Sequence, residues 1–123
     1  MFTLVHFIND LYDDLDHSQF ELSLREERDP VILDVRTPKE FEEGHIPGAR
    51  NYDISHPDFP RWLQRLPRDR AYFVYCRSGA RSLTACQLLA TLGFEKVNNL
   101  RDGIISWNGE LEGPEDEPLE SEG

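Results

Sequence analysis

The chain reads as a three-layer α/β domain in which helices cover both faces of a parallel sheet. Two apolar runs carry this expectation. Residues 31–35 (VILDV) and 71–76 (AYFVYC) are unbroken and rich in β-branched or aromatic side chains, the pattern of strands buried on both sides. Segments of helical composition lie between and around them, and strands that alternate with helices pair in parallel. The length agrees: 123 residues, 38% of them hydrophobic, suffice for one core and leave no room for a second.

Taken in order, residues 1–16 permit two readings. Leu4, Ile8, Leu11 and Leu15 have helical spacing, yet residues 11–15 equally suit a short first strand. Helices are expected over residues 18–28, 38–43, 58–66 and 79–92. In the last, Ala85, Leu88, Leu89 and Leu92 form one apolar stripe, and Gly93 supplies the C-terminal stop. Residues 96–100 read as a further strand, and residues 102–109 as a short helix carrying Trp107. From Glu110 onward there are seven acidic residues and no basic one, interrupted by Pro114 and Pro118. A stretch so charged and so poor in apolar groups does not offset its ordering entropy. Residues 1–109 are therefore expected to fold, and residues 110–123 to form a flexible acidic tail.

Thirteen Lys and Arg against 24 Asp and Glu leave a net charge of −11, which repels phosphate backbones and anionic membrane surfaces. Neither nucleic acid nor membrane is an expected partner. No apolar run approaches the roughly 20 residues of a membrane helix, and no basic region precedes the apolar residues at the N-terminus. The expectation is a soluble cytoplasmic protein. Cys76 and Cys86 are too few for a disulfide framework, His6, His17 and His56 are scattered without ligand spacing, and no metal is assigned. A reducing compartment keeps both thiols available.

The informative segment is Cys76-Arg77-Ser78-Gly79-Ala80-Arg81, between a predicted buried strand and a predicted helix. A cysteine there sits at the carboxyl edge of the sheet, where function gathers in such folds. Gly79 permits a backbone conformation that turns successive N–H groups inward as an anion nest, and the helix that follows aims its positive end at the same point. Together these favour thiolate over thiol and lower the cysteine pKa below its free value of about 8.5. Arg77 and Arg81 add two permanent positive charges in an otherwise acidic chain. Cys86, flanking the apolar stripe of the same helix, reads as a small packed hydrophobe. It lies five residues beyond Arg81, about 7.5 Å along the axis at the helical rise, so bridging it to Cys76 would require backbone movement.

Three segments in order resemble a single-domain rhodanese, a sulfurtransferase, over roughly residues 15–109. They are the loop CRSGAR with Ser82 after it; Asp34-Val35-Arg36 followed by Glu40-Phe41 and Gly44-His45-Ile46-Pro47-Gly48-Ala49; and residues 100–107 (LRDGIISW). One departure is Asp102, where the family usually has the first glycine of a pair, which puts the geometry of that turn in question. The resemblance implies a five-stranded parallel sheet of order 1-5-4-2-3, with Cys76 accepting a sulfane sulfur as a covalent persulfide and no metal or organic cofactor. Residues 77–81 would form the anion cradle, and Arg77 and Arg81 would hold the oxyanion end of a small donor such as thiosulfate. A protein persulfide donor or a thiol acceptor is also compatible. Thiosulfate, a cysteine-desulfurase persulfide, thioredoxin, cyanide and a sulfur-carrier protein all stay open as donor or acceptor, as does the oligomeric state. The resemblance marks His45 as structural.

Two other functions share these features. Phosphatases and arsenate reductases of the same fold use a cysteine loop with five residues before the arginine, whereas four intervene here, and the smaller cradle suits a single sulfur atom. A non-catalytic rhodanese-type binding module is the second alternative; such modules commonly lack the cysteine that this chain keeps. Around the loop, Asp34 is expected to hold backbone or an arginine and not to touch the thiolate, whose pKa a carboxylate would raise. Arg36 and Glu40, four residues apart, predict a fold-holding ion pair. Trp62 and Trp107 read as core or groove aromatics, with Trp107 a candidate for the pocket mouth.

Overall fold

The structure, a computed structural model, describes residues 11–113. Five parallel strands form one sheet in the order β1-β5-β4-β2-β3: β1 (Asp13–Leu15), β2 (Val31–Asp34), β3 (Arg50–Asn51), β4 (Ala71–Tyr75) and β5 (Lys96–Leu100). The helices are α1 (His17–Glu26), α2 (Pro38–Glu43), α3 (Phe59–Gln64) and α4 (Ala80–Thr91), followed by one 3₁₀ turn, Ile104–Ser106.

Alternation along the central strands divides the core in two. Val31, Leu33 and Val35 with Tyr72, Val74 and Cys76 face Phe59 and Leu63 of α3 and Ala85, Cys86 and Leu89 of α4. Ile32, Phe73 and Tyr75 face the other way, onto Phe20 of α1 with Ile46 and Leu100. Both faces are thus covered, which is why β2 and β4 are apolar at successive positions.

Register sets the carboxyl edge. Asp34 pairs with Tyr75 and with Asn51, and Val35 N–H still reaches Tyr75 O at 3.1 Å, so the ends of β2, β3 and β4 lie level. Cys76 is the first residue beyond β4. The two-residue β3 has no apolar run to announce it; the chain is held there because Tyr52 and Ile54 donate to Asp34 O and Val35 O at 2.8 and 3.1 Å.

The open reading of residues 11–15 resolves as a strand, Asp13–Leu15, with Asp16 capping α1: its carboxylate accepts from Gln19 N at 2.9 Å and its N–H donates to Gln19 Oε1 at 3.0 Å. The helical alternative on Leu4, Ile8, Leu11 and Leu15 is thereby excluded at Leu15, and residues 1–10 lie outside the described part. The helix expected over 102–109 is reduced to the single 3₁₀ turn. Gly103 takes φ +78°, and the N–H groups of Ile104 and Ile105 bond outside the segment to Cys76 O and Arg77 O, at 2.9 and 3.2 Å. Of the stretch expected to be a flexible tail, residues 110–113 are held against the domain: Glu112 and His45 exchange backbone hydrogen bonds of 2.8 and 3.0 Å. Residues 114–123 lie outside the described part.

Candidate active site

Cys76 is 1% exposed, at the floor of a loop whose donors converge on its sulfur. Gly79 N–H reaches Sγ at 3.1 Å and Ser82 N–H at 3.3 Å, and the Ser82 hydroxyl lies 3.4 Å away. Ser82 N is in the first turn of α4, where amides lack intrahelical partners, so the helix spends an orphan donor and its positive end on the sulfur. Burial alone would push the Cys76 thiol up. Hydrogen bonds from the Ser82 hydroxyl and from the N–H groups of Ser82, Gly79 and Ser78 outweigh it, and the pKa falls below the ordinary thiol value.

The loop keeps this shape because it is clamped from behind. Gly79 caps α4 at φ +106°, and a Cβ on it would lie 2.0 Å from Arg101 O. A Cβ on Gly103 would lie 2.1 Å from Arg77 O. The two segments therefore meet backbone to backbone at two glycines. The amides of Ile104 and Ile105 occupy the carbonyls of Cys76 and Arg77, leaving the loop's N–H groups to serve the sulfur. Asp102, the departure from the family pattern, is exposed and has no positive φ; Gly103 is the residue that this turn requires.

The arginines divide. Arg77 is exposed and makes no ion pair with a described residue. Arg81 forms a two-pronged ion pair with Glu40 of α2, at 2.9 and 3.1 Å. The Arg81 guanidinium holds the Glu40 carboxyl down to about 2, and Glu40 raises Arg81 in turn. Ser78 and Ala80 are exposed on either side of Gly79.

The predicted Arg36–Glu40 ion pair is not formed. Arg36 turns inward to Asp34, with Nε at 3.0 Å from Oδ1 and one terminal nitrogen at 2.6 Å from Oδ2, and also donates to Gly44 O at 2.6 Å. The adjacency of the two residues on a bend after β2 outweighs the four-residue spacing, since Arg36 N–H also bonds Asp34 Oδ1 at 2.9 Å. Asp34 is fully buried, so its charge is compensated where it lies. Nearby, Tyr75 OH accepts from Ile46 N at 3.0 Å, Asn51 donates to Asp34 O and Arg36 O, and His45 stacks on Phe41 at 3.7 Å. Trp107 packs edge-on against His17 and Phe20 of α1, in the cluster on the opposite face of the sheet from Cys76. Cys86 is fully buried, and desolvation pushes its thiol up.

Sequence reasoning missed Glu40 as the partner of Arg81, 41 positions away, and the backbone roles of residues 103–105. Ser82 was visible in the loop motif; its convergence with Gly79 on one sulfur was not. Among the described residues, no cluster of three His, Cys, Asp or Glu residues is placed to hold a metal ion, and no helix is long and apolar enough to cross a membrane.

A sulfurtransferase of Allochromatium vinosum is 37% identical over 97 residues, covering 79% of this chain and 89% of its own. The thiosulfate sulfurtransferase GlpE of Pseudoalteromonas translucida is 30% identical over 86 residues, covering 70% and 80%. The crystal structure of a rhodanese-like domain protein from Staphylococcus aureus superposes with a TM-score of 0.71 at 26% identity, over 83% of this chain and 98% of that one. Residues 18–110 match the rhodanese-like domain model, and with the five-strand order and the cysteine loop already described, the chain belongs to the rhodanese-like domain family.

Proposed function

We propose that the protein transfers a sulfane sulfur from a small donor to a nucleophilic acceptor through a persulfide on Cys76. The observation that carries this reading is the convergence of the Gly79 and Ser82 amides and the Ser82 hydroxyl on one buried sulfur. With thiosulfate, the Cys76 thiolate attacks the outer sulfur, the S–S bond breaks, and sulfite leaves with the electron pair. A Cys76 persulfide anion remains. A nucleophile such as cyanide or a thiolate then takes the terminal sulfur, and the cysteine thiolate is restored. Negative charge stays within the loop throughout, where preoriented amides stabilise it without reorganising. No metal or organic cofactor enters this scheme, because the covalent persulfide carries the sulfur.

Incubation with thiosulfate should raise the intact mass by about 32 Da, one sulfur. Cys76→Ser should show no gain. With cyanide present the wild type should form thiocyanate. A protein that gains no mass from thiosulfate or from an organic persulfide is a binding module and not a transferase, and hydrolysis of an aryl phosphate would point to the phosphatase alternative.

A further inference from the structure

The ion pair between Arg81 and Glu40 lies beside the sulfur cradle but plays no part in holding Cys76. Arg81 lies in the first turn of α4, and the Cys76 thiolate and the Asp34 carboxylate both act on its charge. Its side chain remains 37% exposed, so it stands at the rim and is not sealed in the core. Both terminal nitrogens are nonetheless engaged by the Glu40 carboxylate. A guanidinium paired in this way presents to an incoming anion the weak field of a dipole in place of a full charge.

Glu40 is fixed independently of Arg81. It is the N3 residue of α2, where its carboxylate accepts from Thr37 N at 3.0 Å while Thr37 Oγ1 accepts from Glu40 N at 3.2 Å. The capping box sets its position, and from that position it reaches across to α4. Either Glu or Gln satisfies such a box, so the cap does not require the negative charge. The whole chain also carries −11, a long-range field that opposes a dianion more strongly than a monoanion.

We propose that Glu40 determines the donor class of this site. By cancelling Arg81 at the rim, it disfavours the dianion thiosulfate relative to organic persulfides of lower charge. This rests on the sulfur-transfer reading above. With a persulfide R–S–SH, the Cys76 thiolate attacks the terminal sulfur, the S–S bond breaks, R–S⁻ leaves with the electron pair, and Cys76–S–SH carries the proton. No oxyanion has to be held and no sulfite expelled, so this reaction does not call on a free guanidinium at the rim. Glu40 touches neither donor nor sulfur; it acts through Arg81 as a positioning residue.

The test uses the full chain and the rate at which Cys76 gains about 32 Da, one sulfur, in single turnover. The donors are thiosulfate and cysteine persulfide, and the readout is the ratio of their second-order rate constants. Glu40→Gln keeps the capping oxygen but removes the charge that cancels Arg81 and one of the two hydrogen bonds to it, and should raise the thiosulfate-to-persulfide ratio about tenfold, the scale of one charge-assisted hydrogen bond gained. Adding Arg81→Gln should abolish that rise. Glu40→Ala should shift the ratio in the same direction and serves if the Gln variant does not fold. An unchanged or lowered ratio in the folded variants, or a rise that persists in the double variant, overturns the proposal. Wild type that gains sulfur from neither donor overturns the sulfur-transfer reading, and the proposal with it.

Discussion

At the scale of single residues, the site rests on small groups in demanding places. Gly79 combines φ +106° with a backbone oxygen 2.0 Å from where its Cβ would sit, so no rotamer relieves a substitution. Gly79→Ala should cost about 2–4 kcal/mol in urea unfolding, and Cys76 reactivity per folded molecule should also fall, since one of its donors is the Gly79 amide. Ser82→Ala keeps the backbone and removes one hydroxyl. The rate of Cys76 alkylation by iodoacetamide, followed by peptide mass, should rise with pH through a midpoint below the ordinary thiol value in wild type, and that midpoint should move upward in Ser82→Ala. Folding lowers this pKa, so the thiolate stabilises the fold above the unfolded value of about 8.5, and that contribution is lost as the pH falls through the folded value. Cys86, whose thiol burial pushes the other way, should stay unmodified under the same conditions.

At the scale of elements, two ion pairs of different character hold the carboxyl edge. Asp34 and Arg36 are buried together at the end of β2, and Arg36→Ala would leave a carboxylate without its partner in the core. A loss of about 3–5 kcal/mol in the free energy of unfolding is expected. The Glu40–Arg81 pair joins α2 to α4 at the surface, where its worth depends on pH. Glu40 is depressed from about 4.5 to about 2, so its contribution is complete above pH 5 and fades as the pH falls toward 2. The difference in unfolding midpoint between wild type and Glu40→Gln should follow that course and be lost as the pH falls through about 2. Which arginine pairs with which carboxylate could not be read from spacing. Arg36 and Glu40 are four residues apart but do not share one helix, because Thr37 caps α2 between them. The strands β2 and β4 were legible because burial on both faces leaves a continuous apolar run. Arg50–Asn51 was not, since two residues on a sheet edge carry no period, and residues 102–109 looked helical until their amides were claimed by the cysteine loop.

At the scale of the molecule, most of the candidate site was legible because one short segment contains the cysteine and its donors. The strand order was not. It followed from resemblance, since apolar runs show that strands are buried without showing which lie side by side. The strongly acidic chain also sets how anions approach. Persulfidation by thiosulfate should speed up about twofold or more between low and physiological ionic strength, as screening weakens the repulsion, whereas attraction by a net positive mouth would give the opposite trend. The clamp of Ile104 and Ile105 on the carbonyls of Cys76 and Arg77 has a further consequence, for the order of synthesis. A growing polypeptide carries Cys76 some thirty positions before the amides that clamp the loop from behind. On the ribosome the carbonyls of Cys76 and Arg77 therefore wait for these partners, and the site is completed late, when the last turn has emerged and docked.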